Sequence, residues 1–134
     1  MSASPASDAV SSSVLILDGD IVSRHVIADY LRLCAYLVVE AANTDEALIA
    51  LGEQSLSIDV ILCDVSALGS RSGFELGTWV RNNRPELEVR FAGGAAMAAQ
   101  TAAELCESGP NLARPYEPEA VIDYIKQLRA SRTA

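Results

Sequence analysis

The sequence predicts an α/β protein, a doubly wound sandwich around a five-stranded parallel sheet of the flavodoxin-like kind. Three observations carry that prediction. Short apolar runs alternate with segments of helical periodicity five times over residues 13–131. The runs Val14–Leu17 and Val60–Cys63 are continuously apolar rather than alternating, as befits strands covered on both faces. The connections are too long for hairpins, so adjacent strands run parallel through right-handed crossovers.

Each element follows from its own residues. Residues 1–12 are mostly Ser, Ala and Asp. They read as a flexible tail before a domain spanning 13–131. Val14–Leu17 forms the first strand, stopped by Asp18-Gly19-Asp20. From Ile21 the period becomes helical. Val22, Val26, Tyr30 and Leu33, widened by Ile27, Leu31 and Cys34, predict an apolar stripe behind an Asp20 N-cap. Tyr36–Glu40 is the second strand. Asn43-x-x-Glu46 resembles a capping box and opens a helix that turns Ala47, Leu48 and Leu51 inward. Ile58–Cys63 is the third strand, and Asp64–Ser72 is a loop. Ser72-x-x-Glu75 opens a third helix with Phe74, Leu76, Trp79 and Val80 as its apolar face, ended near Pro85. Leu87–Ala92 is the fourth strand. An Ala-rich helix follows over 96–107, with Met97 and Leu105 as its large anchors, so shallow docking and local mobility are expected. Gly109 is placed for a left-handed cap. Asn111–Ala113 is the fifth strand. Pro118 suits the first turn of a last helix carrying Val121, Ile122, Ile125 and Leu128.

Composition narrows the function. The chain has 134 residues, about one domain, with 50% hydrophobic residues and a net charge of −8. An acidic domain repels nucleic-acid phosphate, so direct nucleic-acid binding is not expected. No apolar run is long enough to span a bilayer, and residues 1–13 lack the pattern of a signal peptide, so a cytoplasmic protein is expected. The three cysteines, Cys34, Cys63 and Cys106, are odd in number and show no Cys-x-x-Cys. They read as buried thiols in a reducing compartment. His25 reads as a surface residue and Trp79 as a packing residue.

Ligands of doubly wound folds bind outside the carboxyl ends of the strands. Those ends carry Asp18-Gly19-Asp20, Asp64, Gly93-Gly94 and Arg114. Two converging carboxylates repel one another or recruit a hard cation. Mg²⁺ suits such a site because it keeps several waters and needs only one or two carboxylates. With Arg114 across the pocket, the set suits phosphoryl transfer, in which positioning and charge neutralisation dominate.

The strings VLILDGD (14–20), VILCDVSALGSRSGFEL (60–76), FAGG (91–94) and ARPYEP (113–118) together resemble the receiver domain of two-component response regulators, over about residues 13–131. The resemblance implies a five-stranded doubly wound sandwich with Mg²⁺ as cofactor. It implies Asp64 as phosphoacceptor and Asp18 as the first of the family's acidic pair. It also implies the Ser66 backbone carbonyl as a metal ligand, with Asp20 a further candidate ligand. The implied partners are a sensor histidine kinase or phosphotransferase and a downstream regulator protein. With no output segment after residue 131, the expectation is a stand-alone phosphorelay module acting through protein contacts. It is not an enzyme beyond its own phosphorylation and dephosphorylation.

Four positions depart from the family pattern. Gly19 stands where the second acidic residue ligates Mg²⁺, and Gly93 stands where a Thr or Ser bonds the phosphoryl group. Arg114 replaces Lys, and Asn111 replaces the aromatic residue that moves on activation. FAGGAA (91–96) looks closest to the Phe-Ala-Thr-Gly-x-Tyr subgroup associated with HWE-type kinases and stress responses. One alternative is a pseudo-receiver that docks partners without phosphorylation. Another is a haloacid-dehalogenase-like phosphatase, suggested by LILDGDIVS (15–23), with Asp18 as nucleophile and Asp20 as acid/base. A flavodoxin-like ligand binder is a third, but the first loop lacks the hydroxyl- or glycine-rich phosphate cradle.

Overall fold

The computed structural model describes residues 12–53, 55–109 and 115–133. Along them run β1 (Ser13–Leu17), α1 (Ile21–Leu33), β2 (Leu37–Ala41), α2 (Thr44–Gly52), β3 (Val60–Asp64), α3 (Gly73–Asn83), β4 (Glu88–Ala92), α4 (Ala95–Glu107) and α5 (Pro118–Thr133). The strands form one parallel sheet in the order β2-β1-β3-β4. Its register places Leu17 beside Ala41 and Cys63, and Asp64 beside Ala92. The described sheet therefore has four strands, not five. The fifth strand expected at Asn111–Ala113 lies outside the described residues, as does the tail at 1–11.

Strand alternation splits the core between the two faces. Val14, Ile16 and Leu62 face α1, α4 and α5, where they meet Ile27, Leu31, Ala102 and Ile125. Leu15, Leu17, Ile61 and Cys63 face α2 and α3, where they meet Ala47, Leu51, Leu76 and Val80. Both faces are thus covered, which is why β1 reads as an unbroken apolar run. Trp79 packs partly buried on the second core, and His25 is exposed beside Asp29 and Glu40.

Helix starts follow the local chemistry. The Asp20 carboxylate accepts from the Val22 amide at 3.1 Å, as an N-cap should. Ser72 and Glu75 close a full capping box on α3. At α2 the box is only half formed. Asn43 accepts from the Glu46 amide, while the Glu46 carboxylate reaches past it to the Ala42 amide. α1 ends in a Schellman motif, with Ala35 N–H bonded to Arg32 O and Tyr36 N–H to Leu31 O. Ala35 takes the left-handed position at φ 74°, which an L-residue adopts at a cost of about 1–2 kcal/mol. The sharp turn delivers Tyr36 beneath the end of α4, where its hydroxyl donates to Leu105 O at 2.6 Å.

Several expectations are corrected. Leu33 and Phe74 are exposed, not part of the apolar stripes. Leu33 sits in the last turn of α1, on the rim of an open groove shared with Val121 and Tyr124 of α5, and Phe74 lies outside the core against the Phe91 ring at 5.0 Å. α4 docks deeply: Ala98, Ala99, Ala102, Ala103, Leu105 and Cys106 are all buried. Small side chains let that helix approach α1 closely, so scarcity of large anchors does not mean shallow contact. Gly109 is no left-handed cap, since positive φ among the described glycines is confined to Gly69 and Gly94. Glycine is needed there for space, because a Cβ would fall 2.6 Å from the Tyr36 hydroxyl.

The cysteine expectation is also corrected. Cys34, capping α1, and Cys106, near the end of α4, form a disulfide with Cα atoms 5.4 Å apart. Only Cys63 is a free thiol, and it is buried. Spacing along the chain could not show this, because the two residues are 72 positions apart and meet only through helix packing.

α5 lies antiparallel to α1. Near its start, the Tyr30 hydroxyl donates to Tyr116 O at 2.6 Å. Near its end, Arg129 pairs with Asp20 and donates to Ser23 Oγ at 2.7 Å. The last helix therefore climbs toward the carboxyl end of the sheet. No helix among the described residues is long and apolar enough to cross a membrane.

Candidate functional site

Asp18 directly follows β1 and Asp64 ends β3, and β1 and β3 are hydrogen-bonded neighbours. The parallel register alone thus brings the two carboxylates to the same end of the sheet. Both line one small depression, together with Gly94 and Ala98 from the start of α4. Gly93, exposed after β4, lies beside it.

The acidic side chains are held in different ways. Asp18 Oδ1 accepts from the Asp20 amide at 2.9 Å. Asp64 Oδ1 accepts from the Ser66 amide at 3.0 Å and the Ser66 hydroxyl at 2.8 Å. Among the described residues, no donor reaches the second oxygen of either. Burial pushes the Asp18 carboxyl up to about 6 from its ordinary 3.8. The negative charges of Asp64 and Asp20 push the same way, while the Asp20 amide and Arg24 oppose them.

Asp20 behaves oppositely. Burial pushes it up, but hydrogen bonds from Arg129, Ser23 and the Val22 amide outweigh that and hold it below the ordinary carboxylate value. One of its oxygens caps α1, and the other takes Ser23 Oγ and Arg129. These directions do not suit the phosphatase reading, since a general acid needs a raised value and a carboxylate nucleophile a low one.

Arg114 lies outside the described residues. Among the described residues, Arg129 is a cation that α5 brings to the acidic loop, and the sequence reading missed it. Its signal was there, as a basic residue in line with Val121, Ile125 and Leu128, but only the direction of α5 shows which end of the sheet it reaches. Arg24 also belongs to this loop, donating to Asp18 O at 3.0 Å and to Glu40 at 3.1 Å.

The glycine departures are not forced by the backbone. A Cβ on Gly19 would meet Ala42 O at 3.6 Å, and one on Gly93 would meet Val65 Cγ2 at 3.6 Å. Both are ordinary contacts, and neither residue has positive φ. The donor set is correspondingly sparse. Among the described residues, no group of three or more His, Cys, Asp or Glu is arranged to hold a metal ion. Two carboxylates, each with an oxygen to offer, fit a hard cation that keeps most of its waters, as Mg²⁺ does. A larger groove of about 580 Å³, lined by Ser13, Arg32, Tyr36, Leu37 and Ile58, lies at the opposite end of the strands and has no carboxylate among its described lining residues.

This fold and strand-end acid pair define a doubly wound α/β domain with an acidic depression at the carboxyl end of its parallel sheet. The model of the response regulator receiver domain matches residues 14–126, and the chain belongs to that family. A receiver domain protein (CheY-like) from Methanospirillum hungatei JF-1 superposes with a TM-score of 0.58 at 19% identity, covering 92% of this chain and 97% of that one. The receiver domain from Clostridium thermocellum gives 0.58 at 20% identity, over 89% of this chain and 98% of that one. A curated cyclic di-GMP phosphodiesterase of Thermotoga maritima is 34% identical over 77 residues, 58% of this chain but only 20% of that protein. The family's setting is two-component signalling, with histidine kinases or phosphotransfer proteins upstream and effectors downstream.

Proposed function

We propose that this domain is a phosphorelay receiver that accepts a phosphoryl group on Asp64. The observation that carries the reading is the convergence of Asp18 and Asp64 on one depression, with a carboxylate oxygen of each lacking a described donor. In the reaction, Asp64 Oδ2 attacks phosphorus, the P–N bond to a donor imidazole breaks, and the leaving nitrogen takes a proton. Ser66 holds Oδ1 from two sides and so aims the other oxygen outward. The exposed Gly93 leaves its backbone N–H available to a phosphoryl oxygen, without the hydroxyl of the family pattern.

Asp18, Asp64 and the Ser66 carbonyl would hold Mg²⁺, which supplies neutralisation of charge on the carboxylates and the phosphoryl oxygens. Asp20 joins that set only by giving up Arg129. The donor is a sensor histidine kinase or a phosphotransferase. The likeness of FAGGAA to the Phe-Ala-Thr-Gly-x-Tyr pattern favours an HWE-type kinase. Output is by protein contacts, and the site of action is the cytoplasm.

A second reading, a pseudo-receiver that docks partners unphosphorylated, is favoured by Gly19 and Gly93, which remove two functional side chains from a site with room for both. An amide NMR titration with Mg²⁺ and then beryllofluoride, on wild type and Asp64→Ala, separates the two. Shifts at Asp18, Asp64 and Gly93 that require Asp64 support phosphoacceptance. No shifts at millimolar Mg²⁺ would leave the pseudo-receiver standing.

A further inference from the structure

We propose that Cys34 and Cys106 form a redox switch: the disulfide clamps the end of α4 to the end of α1, and its reduction by a dithiol releases α4 and loosens the wall of the acidic depression. The argument begins with what holds α4. Its buried face is Ala98, Ala99, Ala102 and Ala103, with Leu105 as the large side chain. Each alanine buries little area, so this face, though closely docked, gains less per residue than a leucine-rich one would. Its C-terminal turn is fixed instead by the Cys34–Cys106 bond and by the Tyr36 hydroxyl on Leu105 O. Gly109 packs against the same Tyr36 ring. At its other end, α4 begins at Gly94 without a side-chain cap. Gly94 and Ala98 there share a wall with Asp18 and Asp64. One rigid helix thus links the sulfur pair to the acidic site.

The chemistry is two-electron exchange. A thiolate of the dithiol attacks one sulfur, the S–S bond breaks, and a mixed disulfide forms. The second thiol of the reductant then displaces it, leaving two protein thiols and an oxidised dithiol. Both sulfurs are buried, Cys34 at 1% and Cys106 at 0% exposure, so attack requires opening of the terminal turns. Those turns are flanked by the exposed residues Leu33, Ala35, Glu107 and Ser108, so the opening is local. Cys63 does not compete. It lies on the other face of the sheet, and burial pushes its thiol up to about 12.

The switch does not depend on the phosphoacceptor reading. Its test is hydrogen exchange on the full chain, with and without dithiothreitol, beside thiol counting by alkylation under denaturing conditions. Unreduced protein should take up one alkyl group and reduced protein three. Amide protection over 95–109 should fall roughly 100-fold on reduction, and the Gly93 and Gly94 amide resonances should shift. Cys63→Ser should behave as wild type, and Cys34→Ala/Cys106→Ala should resemble reduced protein whether or not reductant is present. Three alkylatable thiols before reduction, or unchanged protection after it, would overturn the proposal.

Discussion

Replacing Asp18 by Asn should make the protein more stable above pH 6, because the folded chain holds this carboxylate in a place that disfavours its charge. In the folded state its value is about 6, against an ordinary 3.8, first through burial and then through Asp64 and Asp20. The folded state therefore binds a proton more tightly than the unfolded chain. The stabilising proton is fully in place below pH 3.8, and its contribution is lost as pH rises to about 6. Such a shift has a ceiling of about 3 kcal/mol. Asp18 is only half-buried and solvent screens it, so roughly 1–2 kcal/mol is the expected size. Asn retains an oxygen to accept from the Asp20 amide, so the local turn survives. The assay is urea denaturation of wild type and Asp18→Asn at pH 4 and pH 7.5 in EDTA, reading the difference between the two proteins so that other carboxylates cancel. The variant should be favoured by roughly 1–2 kcal/mol at the higher pH, with most of that gone at pH 4. Millimolar Mg²⁺ should stabilise wild type more than the variant. A variant less stable than wild type at pH 7.5, or a difference independent of pH, would refute the electrostatic account.

Other predictions follow from the same structure. Reducing the Cys34–Cys106 bond opens a loop closed over a separation of 72 residues. Chain entropy then predicts a loss of about 4 kcal/mol, or a melting temperature lower by about 10–20 °C in calorimetry. Ala35→Gly relieves the left-handed position at φ 74° and should gain about 0.5–1 kcal/mol in denaturant titrations. Gly19→Asp places a carboxylate where a Cβ meets nothing closer than 3.6 Å. It should tighten Mg²⁺ binding by about tenfold in isothermal calorimetry, since ligand charge sets affinity at such sites.

Much of the fold was legible in the sequence because its signals are local. Continuous apolar runs reported strands covered on both faces, and the caps at Asp20, Asn43 and Ser72 acted within a few residues of themselves. Asp18 and Asp64 could be paired from the sequence because a parallel sheet puts every strand's carboxyl end on one side. Phe74 and Leu33 misled because periodicity gives the angle of a side chain around its helix, not how far the covering layer extends. Ala-rich α4 misled because the reading counted large anchors, while small residues dock by close approach.

What only the tertiary structure decided depends on which helix ends meet. Whether Cys34 finds Cys106, and whether α5 brings Arg129 to Asp20, turns on the direction and side on which the last two helices pack. No window of neighbouring residues encodes that choice. It is made by the burial of α4 and α5 against α1, where contacts join residues separated by 72 and 109 positions. The sequence by itself determined that an acidic pair stands at the end of a parallel sheet. The packing of the helices decided that Arg129 meets Asp20 beside that pair and that Cys34 meets Cys106.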